Sequence, residues 1–125
     1  MGHGYKEDID HYHSISENLP ELISKYKYSN GYFGDSGKGR SFVRNIVSED
    51  PIATSKDFYD KAARGGIEKE MSNGKGYYTK MKDGSILSYR EKSSTDGSPV
   101  VEINIKSSNE HGDIKYQKIH FVRGN

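Results

Sequence analysis

The chain has 125 residues, 31% of them hydrophobic, and its 19 basic and 18 acidic side chains leave a net charge of +1. Mean hydropathy is -0.95, so one domain with a small core is expected, and the near-neutral charge argues against a broad basic surface while leaving room for a small site of local cations. The absence of cysteine excludes disulfides and thiolate metal sites, and no apolar run approaches the roughly 20 residues that a bilayer requires.

The N-terminus shows no signal-peptide core, and the chain reads as a fragment of a longer protein. Residues 1–35, rich in Tyr, His and Asp, are expected to form a linker or an N-terminal helical extension, and residues 36–125 the functional domain. Leu19, Leu22, Ile23 and Tyr26 recur at helical spacing, which predicts a helix from Glu17 to Tyr28 with Ser16 as its N-cap. Gly34-Asp35-Ser36-Gly37-Lys38-Gly39 reads as a connecting loop. It lacks the Lys-Ser/Thr ending of a Walker-type phosphate loop, because Gly39 follows Lys38. A second helix is expected from Ser55 to Ala63, capped by Thr54, with Phe58 and Ala62 on its apolar face and Arg64-Gly65-Gly66 as its stop.

From Gly74 the pattern turns to strands. Tyr77 to Met81 and Ser85 to Arg90 flank Lys82-Asp83-Gly84, and Asp-Gly between extended segments is a strong hairpin signal. Val100 to Ile105 alternates, and Lys115 to Val122 is the last expected strand. The resulting expectation is an α+β fold, with two N-terminal helices packed on an antiparallel sheet of about four strands.

Alternation makes a sharper prediction. If Leu87, Tyr89, Val101, Ile103, Ile105, Ile119 and Phe121 face the helices, then Ser88, Arg90, Glu102, Asn104, Lys118 and His120 face the other way. Cleavage of RNA by its own 2′-hydroxyl needs a general base for that hydroxyl and a general acid for the leaving 5′ oxygen. It also needs fixed cations for the charge that builds at phosphorus. Glu102 and His120 suit the first two roles, and Arg90 with Lys118 the third, without metal or other cofactor. DNA lacks the 2′-hydroxyl, so such a site acts on RNA alone. Against this stands a plainer account: any half-exposed sheet alternates polar residues, and Glu102 can simply pair with Arg90 or Lys118 across strands.

Other groups are weaker signals. Ser93, Ser94 and Thr95 open a polar loop that offers hydroxyls to a phosphate, or is simply a turn. Tyr89 and Asn104 join them as candidate substrate contacts, since tyrosines on strands either fill the core or stack on bases. His11 and His13 share one side of an extended segment, a spacing that can serve a metal. His111 falls in a turn and is expected to be solvated. No Ser-His-Asp nucleophile stands out.

The stretch from residue 45 to 122 resembles a known family. The resemblance is carried by Asp57-Phe58-Tyr59-Asp60-Lys61, Gly65-Gly66, Asn73-Gly74-Lys75-Gly76 and Met81-Lys82-Asp83-Gly84-Ser85. It continues through Asp96-Gly97-Ser98-Pro99, Val101-Glu102-Ile103-Asn104-Ile105 and Gln117-Lys118-Ile119-His120-Phe121. These segments resemble the C-terminal toxin modules of polymorphic toxins in Gram-positive bacteria, carried by LXG-type and wall-associated repeat proteins. The resemblance implies a module of a larger secreted carrier, acting in the cytoplasm of a target cell and neutralised by a cognate immunity protein. It also implies nuclease activity, since related modules are described as ribonucleases and some as deoxyribonucleases, and the fold shared by barnase, colicin D, colicin E5 and RelE-type toxins; tRNA or rRNA is the expected substrate, and the lack of a long apolar run leaves no membrane partner expected. Two alternatives remain open at this stage: a metal-dependent DNase toxin using His11 and His13, and a non-catalytic interaction module.

Overall fold

A computed structural model describes residues 12–94 and 96–124. In chain order its elements are α1 (Ile15–Lys25), β1 (Tyr28–Ser29), β2 (Tyr32–Phe33), β3 (Asp35–Ser36), β4 (Val43–Val47), α2 (Pro51–Ala62), β5 (Ile67–Glu70), β6 (Tyr77–Lys80), β7 (Ile86–Arg90), β8 (Val100–Asn104) and β9 (Gln117–Val122). Strands β1 and β2 form a small hairpin, and the rest make a seven-stranded sheet in the order β3-β4-β9-β8-β7-β6-β5.

This corrects the expected fold. The sheet is larger than four strands, and it is mixed, because β4 runs parallel to β9. The helices are not an N-terminal pair on an antiparallel sheet, since α2 lies between β4 and β5 in the chain. It carries the chain from one side of the sheet to the far edge, and β5 to β9 then return as a meander to pair with β4. The missed strands lack the signature of the others. All of β5 is exposed, and β4 is half-buried along most of its length. The expected loop at Gly34 to Gly39 is partly the edge strand β3. Gly34 (φ +68°) crosses so close to β4 that a Cβ would lie 2.2 Å from the Asn45 carbonyl oxygen.

Local chemistry explains the helix starts. Ser14, not Ser16, caps α1: the Ser14 N–H donates to Glu17 Oε1 at 2.7 Å, half of a capping box. In α2, Asp50 rather than Thr54 is the cap, accepting from Ala53 N, and Pro51 sits in the first turn, where its missing N–H costs nothing. Ile15, Leu19 and Leu22 of α1 join Phe33, Phe58, Leu87, Ile103, Ile119 and Phe121 in one buried cluster.

Buried polar side chains tie the layers together. Gln117 accepts from Phe33 N at 2.8 Å and donates to Gly31 O at 2.9 Å, which fastens the small hairpin to β9. Asp83, in the turn between β6 and β7, accepts from the Ile15 N–H at 3.0 Å and from the Ser85 and Ser108 hydroxyls. Among the described residues no buried side-chain nitrogen or oxygen lacks a partner, as a close-packed interior requires.

Asp57 on α2 accepts from Lys25 Nζ at 2.8 Å, from Lys61 Nζ at 2.6 Å and from the Tyr26 hydroxyl. Burial opposes its charge, but these three donors outweigh it and hold the carboxyl well below 3.8. A depressed folded pKa adds stability that is present above the unfolded value and is lost as pH falls toward the folded one. Asp57→Asn should therefore lower the urea midpoint at pH 7, and its gap from wild type should narrow as pH drops from about 5 to 3. A gap that stays constant over that range would remove the carboxylate from the account.

Candidate functional site

One face of the large sheet packs on the helices and the other carries the polar side chains. Leu87, Tyr89, Val101, Ile103, Ile119 and Phe121 are buried in the core, while Ser88, Arg90, Glu102 and Lys118 are half-buried on the opposite face. Ile105 lies just past β8 and packs against the core cluster.

The register sets the neighbours. Arg90 pairs with Val100 and Val100 with His120, which makes one row across β7, β8 and β9. Ser88, Glu102 and Lys118 make the next row. Glu102 and His120 are thus diagonal neighbours on adjacent strands, a separation of about 7–8 Å between positions. Arg90 is two strands from His120, about 10 Å across the sheet, with the buried Val100 between them in the row.

His120 is on the polar face by alternation, yet it is only 6% exposed. The loop between β7 and β8 folds over it. Ser98 Oγ lies 2.9 Å from His120 Nδ1 and 2.6 Å from Asp96 Oδ1. An ionised carboxylate only accepts, so the single Ser98 proton goes to Asp96 and the Ser98 oxygen accepts from Nδ1–H. Nδ1 therefore keeps its proton in both charge states, and Nε2 is the nitrogen that gives and takes one. Among the described residues Nε2 has no hydrogen-bond partner, and since no buried side-chain nitrogen there lacks one, it is the part of the ring that solvent reaches. This is not a nucleophilic triad: Ser98 stands between acid and imidazole, on the Nδ1 side, and its proton points at Asp96.

The loop is held by its own carboxylate. Asp96 accepts from the Ser98 hydroxyl first, then from Ser93 Oγ at 2.7 Å and Ser98 N at 3.0 Å, with His120 Nδ1 3.5 Å away. Those bonds outweigh desolvation and keep Asp96 well below the usual carboxylate range. Gly97 takes φ +77° inside this turn. Sequence reasoning missed Asp96. Its signal was the Ser93…Asp96-Gly97-Ser98 spacing, which suits side-chain capping of a tight turn.

Glu102 also has a partner that the sequence analysis left without a role. The Tyr116 hydroxyl donates to Glu102 Oε2 at 2.6 Å. Burial, then the hydrogen bond to Glu102 and that carboxylate's charge, push the Tyr116 hydroxyl up to about 12. The Tyr116 ring packs edge-on against Phe42 at 5.1 Å.

The remaining candidates divide. Lys118 faces Glu102 directly. Ser93 organises the loop, and Ser94 borders a cavity beside Arg90. Thr95 lies outside the described residues. Asn104 is one row beyond Glu102, opposite Ile86, and accepts from Lys106 N at 2.9 Å, so it closes a turn away from His120. Tyr89 is a core residue: it is 6% exposed, packs on Tyr59 at 5.6 Å, and its hydroxyl accepts from Ser55 Oγ.

His11 lies outside the described residues. His13 bonds through Nδ1 to Asn18 Oδ1 at 2.8 Å. His111 is half-buried, with Nδ1 3.3 Å from Ser108 Oγ. Among the described residues no group of three or more His, Asp or Glu is placed to hold a metal ion, and no helix is long and apolar enough to cross a membrane. Comparison of the chain with protein-family models, with curated proteins and with solved structures returns no match.

Proposed function

We propose that this chain is a metal-independent endoribonuclease, and that it is the toxic module of a secreted bacterial carrier acting in the cytoplasm of a target cell. The observation that carries the first part is the placement of Arg90, Glu102 and His120 on adjacent strands of one sheet face, in neighbouring rows. Glu102 takes the proton of the 2′-hydroxyl. The 2′ oxygen bonds to phosphorus, the bond from phosphorus to the 5′ oxygen breaks, and His120 Nε2 protonates that leaving oxygen. Arg90 and Lys118 offset the charge on the phosphate oxygens. The products are a 2′,3′-cyclic phosphate and a 5′-hydroxyl, with tRNA or rRNA as the proposed substrate. The second part is supported by the resemblance of residues 45–122 to polymorphic-toxin modules. It carries with it an immunity protein, expected to be acidic so as to cover a cationic site.

The test is direct. Purified protein is incubated with total RNA and with plasmid DNA, in EDTA and separately with magnesium or manganese, and the RNA ends are identified chemically. Discrete RNA fragments ending in cyclic phosphate, with intact DNA, are the expected result. Nicking of DNA that requires magnesium or manganese, with RNA untouched, would overturn the proposal.

A further inference from the structure

A cavity of about 700 Å³ opens at the end of the sheet where β7 runs into the loop that covers His120. Three separate segments bring cations to its wall: Lys56 from α2, Lys75 from the turn between β5 and β6, and Arg90 with Lys92 from the end of β7. Glu91 is the one carboxylate lining it. The chain has almost as many acids as bases, yet among the described residues none of these four cations is in an ion pair. Like charges collected without counterions repel one another, and a bound polyanion relieves that repulsion. Gly76 lets the turn close down on this wall, since a Cβ there would sit 2.2 Å from the Tyr89 carbonyl oxygen and 2.9 Å from Arg90 Cγ. Tyr77 on the rim is 44% exposed, although its strand neighbour Tyr89 is buried.

We infer that this groove binds a single-stranded RNA segment next to the scissile phosphate, with Lys56, Lys75 and Lys92 on its backbone and Tyr77 stacked on a base. The inference rests on the ribonuclease reading, because Arg90 belongs to both the groove and the proposed centre. Single strands are favoured over duplex because an exposed ring at a groove rim can stack only on a base freed from its helix.

Binding is measured separately from cleavage with a fluorescent 2′-O-methyl RNA oligonucleotide, which lacks the attacking hydroxyl. Fluorescence anisotropy is followed as salt is raised, for wild type, Lys56→Ala/Lys92→Ala, Tyr77→Ala and His120→Ala. All three groove residues are exposed, so folding should hold, and thermal melting checks it. The double variant should bind at least about tenfold more weakly, with a salt slope shallower by about 1.4, two contacts at roughly 0.7 each for a single strand. Tyr77→Ala should lose about five- to tenfold or more, as a stacked base implies. His120→Ala should bind as wild type does. Unchanged affinity and slope in the double variant would overturn the groove, as would equal binding of a 2′-O-methyl duplex. If the protein cleaves no RNA but the double variant still loses salt-dependent binding, the groove stands and the nuclease reading falls. If wild type cleaves RNA and the double variant binds unaltered, the nuclease reading stands and the groove falls.

Discussion

Replacing His120 with alanine is expected to slow RNA cleavage by about 10²- to 10⁴-fold, the usual contribution of a positioned proton donor. The magnitude follows from geometry. Nδ1 is committed to Ser98, so Nε2 alone can serve the leaving oxygen. The fold should survive, because the imidazole sits on the polar face under a loop and not among the helices. Asp96 keeps its bonds from Ser93 and Ser98 when the ring is gone. Ser98→Ala provides a finer readout. It removes the acceptor that orients the ring, so activity should fall less, and Ser98→Thr should restore most of it. Full activity in His120→Ala, with unchanged melting, would move the chemistry elsewhere on the molecule.

The shared face of Arg90, Glu102, Lys118 and His120 was legible in the sequence because side chains alternate along β7, β8 and β9, although Val100 is buried on that same face and Gln117 on the other. Three strands of strict period two decide which side chains share a face, whatever sheet they join. The burial pattern follows that reading at Leu87, Tyr89, Val101, Ile103, Ile119 and Phe121. The sheet around them was not legible. Ile67-Glu68-Lys69-Glu70 has no buried face to pattern it. Val43–Val47 pairs with β9 in parallel, a contact across more than 70 residues that no turn signals. Tyr89, expected as a substrate contact from its residue type, is only 6% exposed, although it borders the cavity beside Arg90. Alternation had already turned it toward the helices, and its hydroxyl is spent on Ser55. Asp96 escaped because its partner His120 is distant in sequence and they meet only once β8 and β9 are paired.

Phe58→Ala should be the most destabilising single change in the core, by about 3–5 kcal/mol. Phe58 is fully buried on α2 and its ring meets three others: Tyr26 at 5.1 Å, Phe33 at 5.1 Å and Phe121 at 5.7 Å. These contacts join the C-cap of α1, the small hairpin, α2 and β9, so truncation opens a gap that no single element can close. Phe33, Phe58 and Phe121 are among the largest fully buried side chains, and each buried ring contributes a large apolar area. Stability of roughly 5–15 kcal/mol is normal for a domain, so the loss is a large share, and the melting temperature should fall by about 10–20 °C. Ile23→Ala, at a position 42% exposed, should shift melting far less and serves as the control. Helix α2 packs on β7, β8 and β9, the strands that bear Arg90, Glu102 and His120. Phe58→Ala should therefore abolish cleavage above its own melting point and keep near-normal turnover well below it. That temperature split separates loss of the platform from loss of the chemistry, since His120→Ala should be impaired at every temperature. A Phe58→Ala protein that melts within a few degrees of wild type would show that the cluster is not the centre of the core.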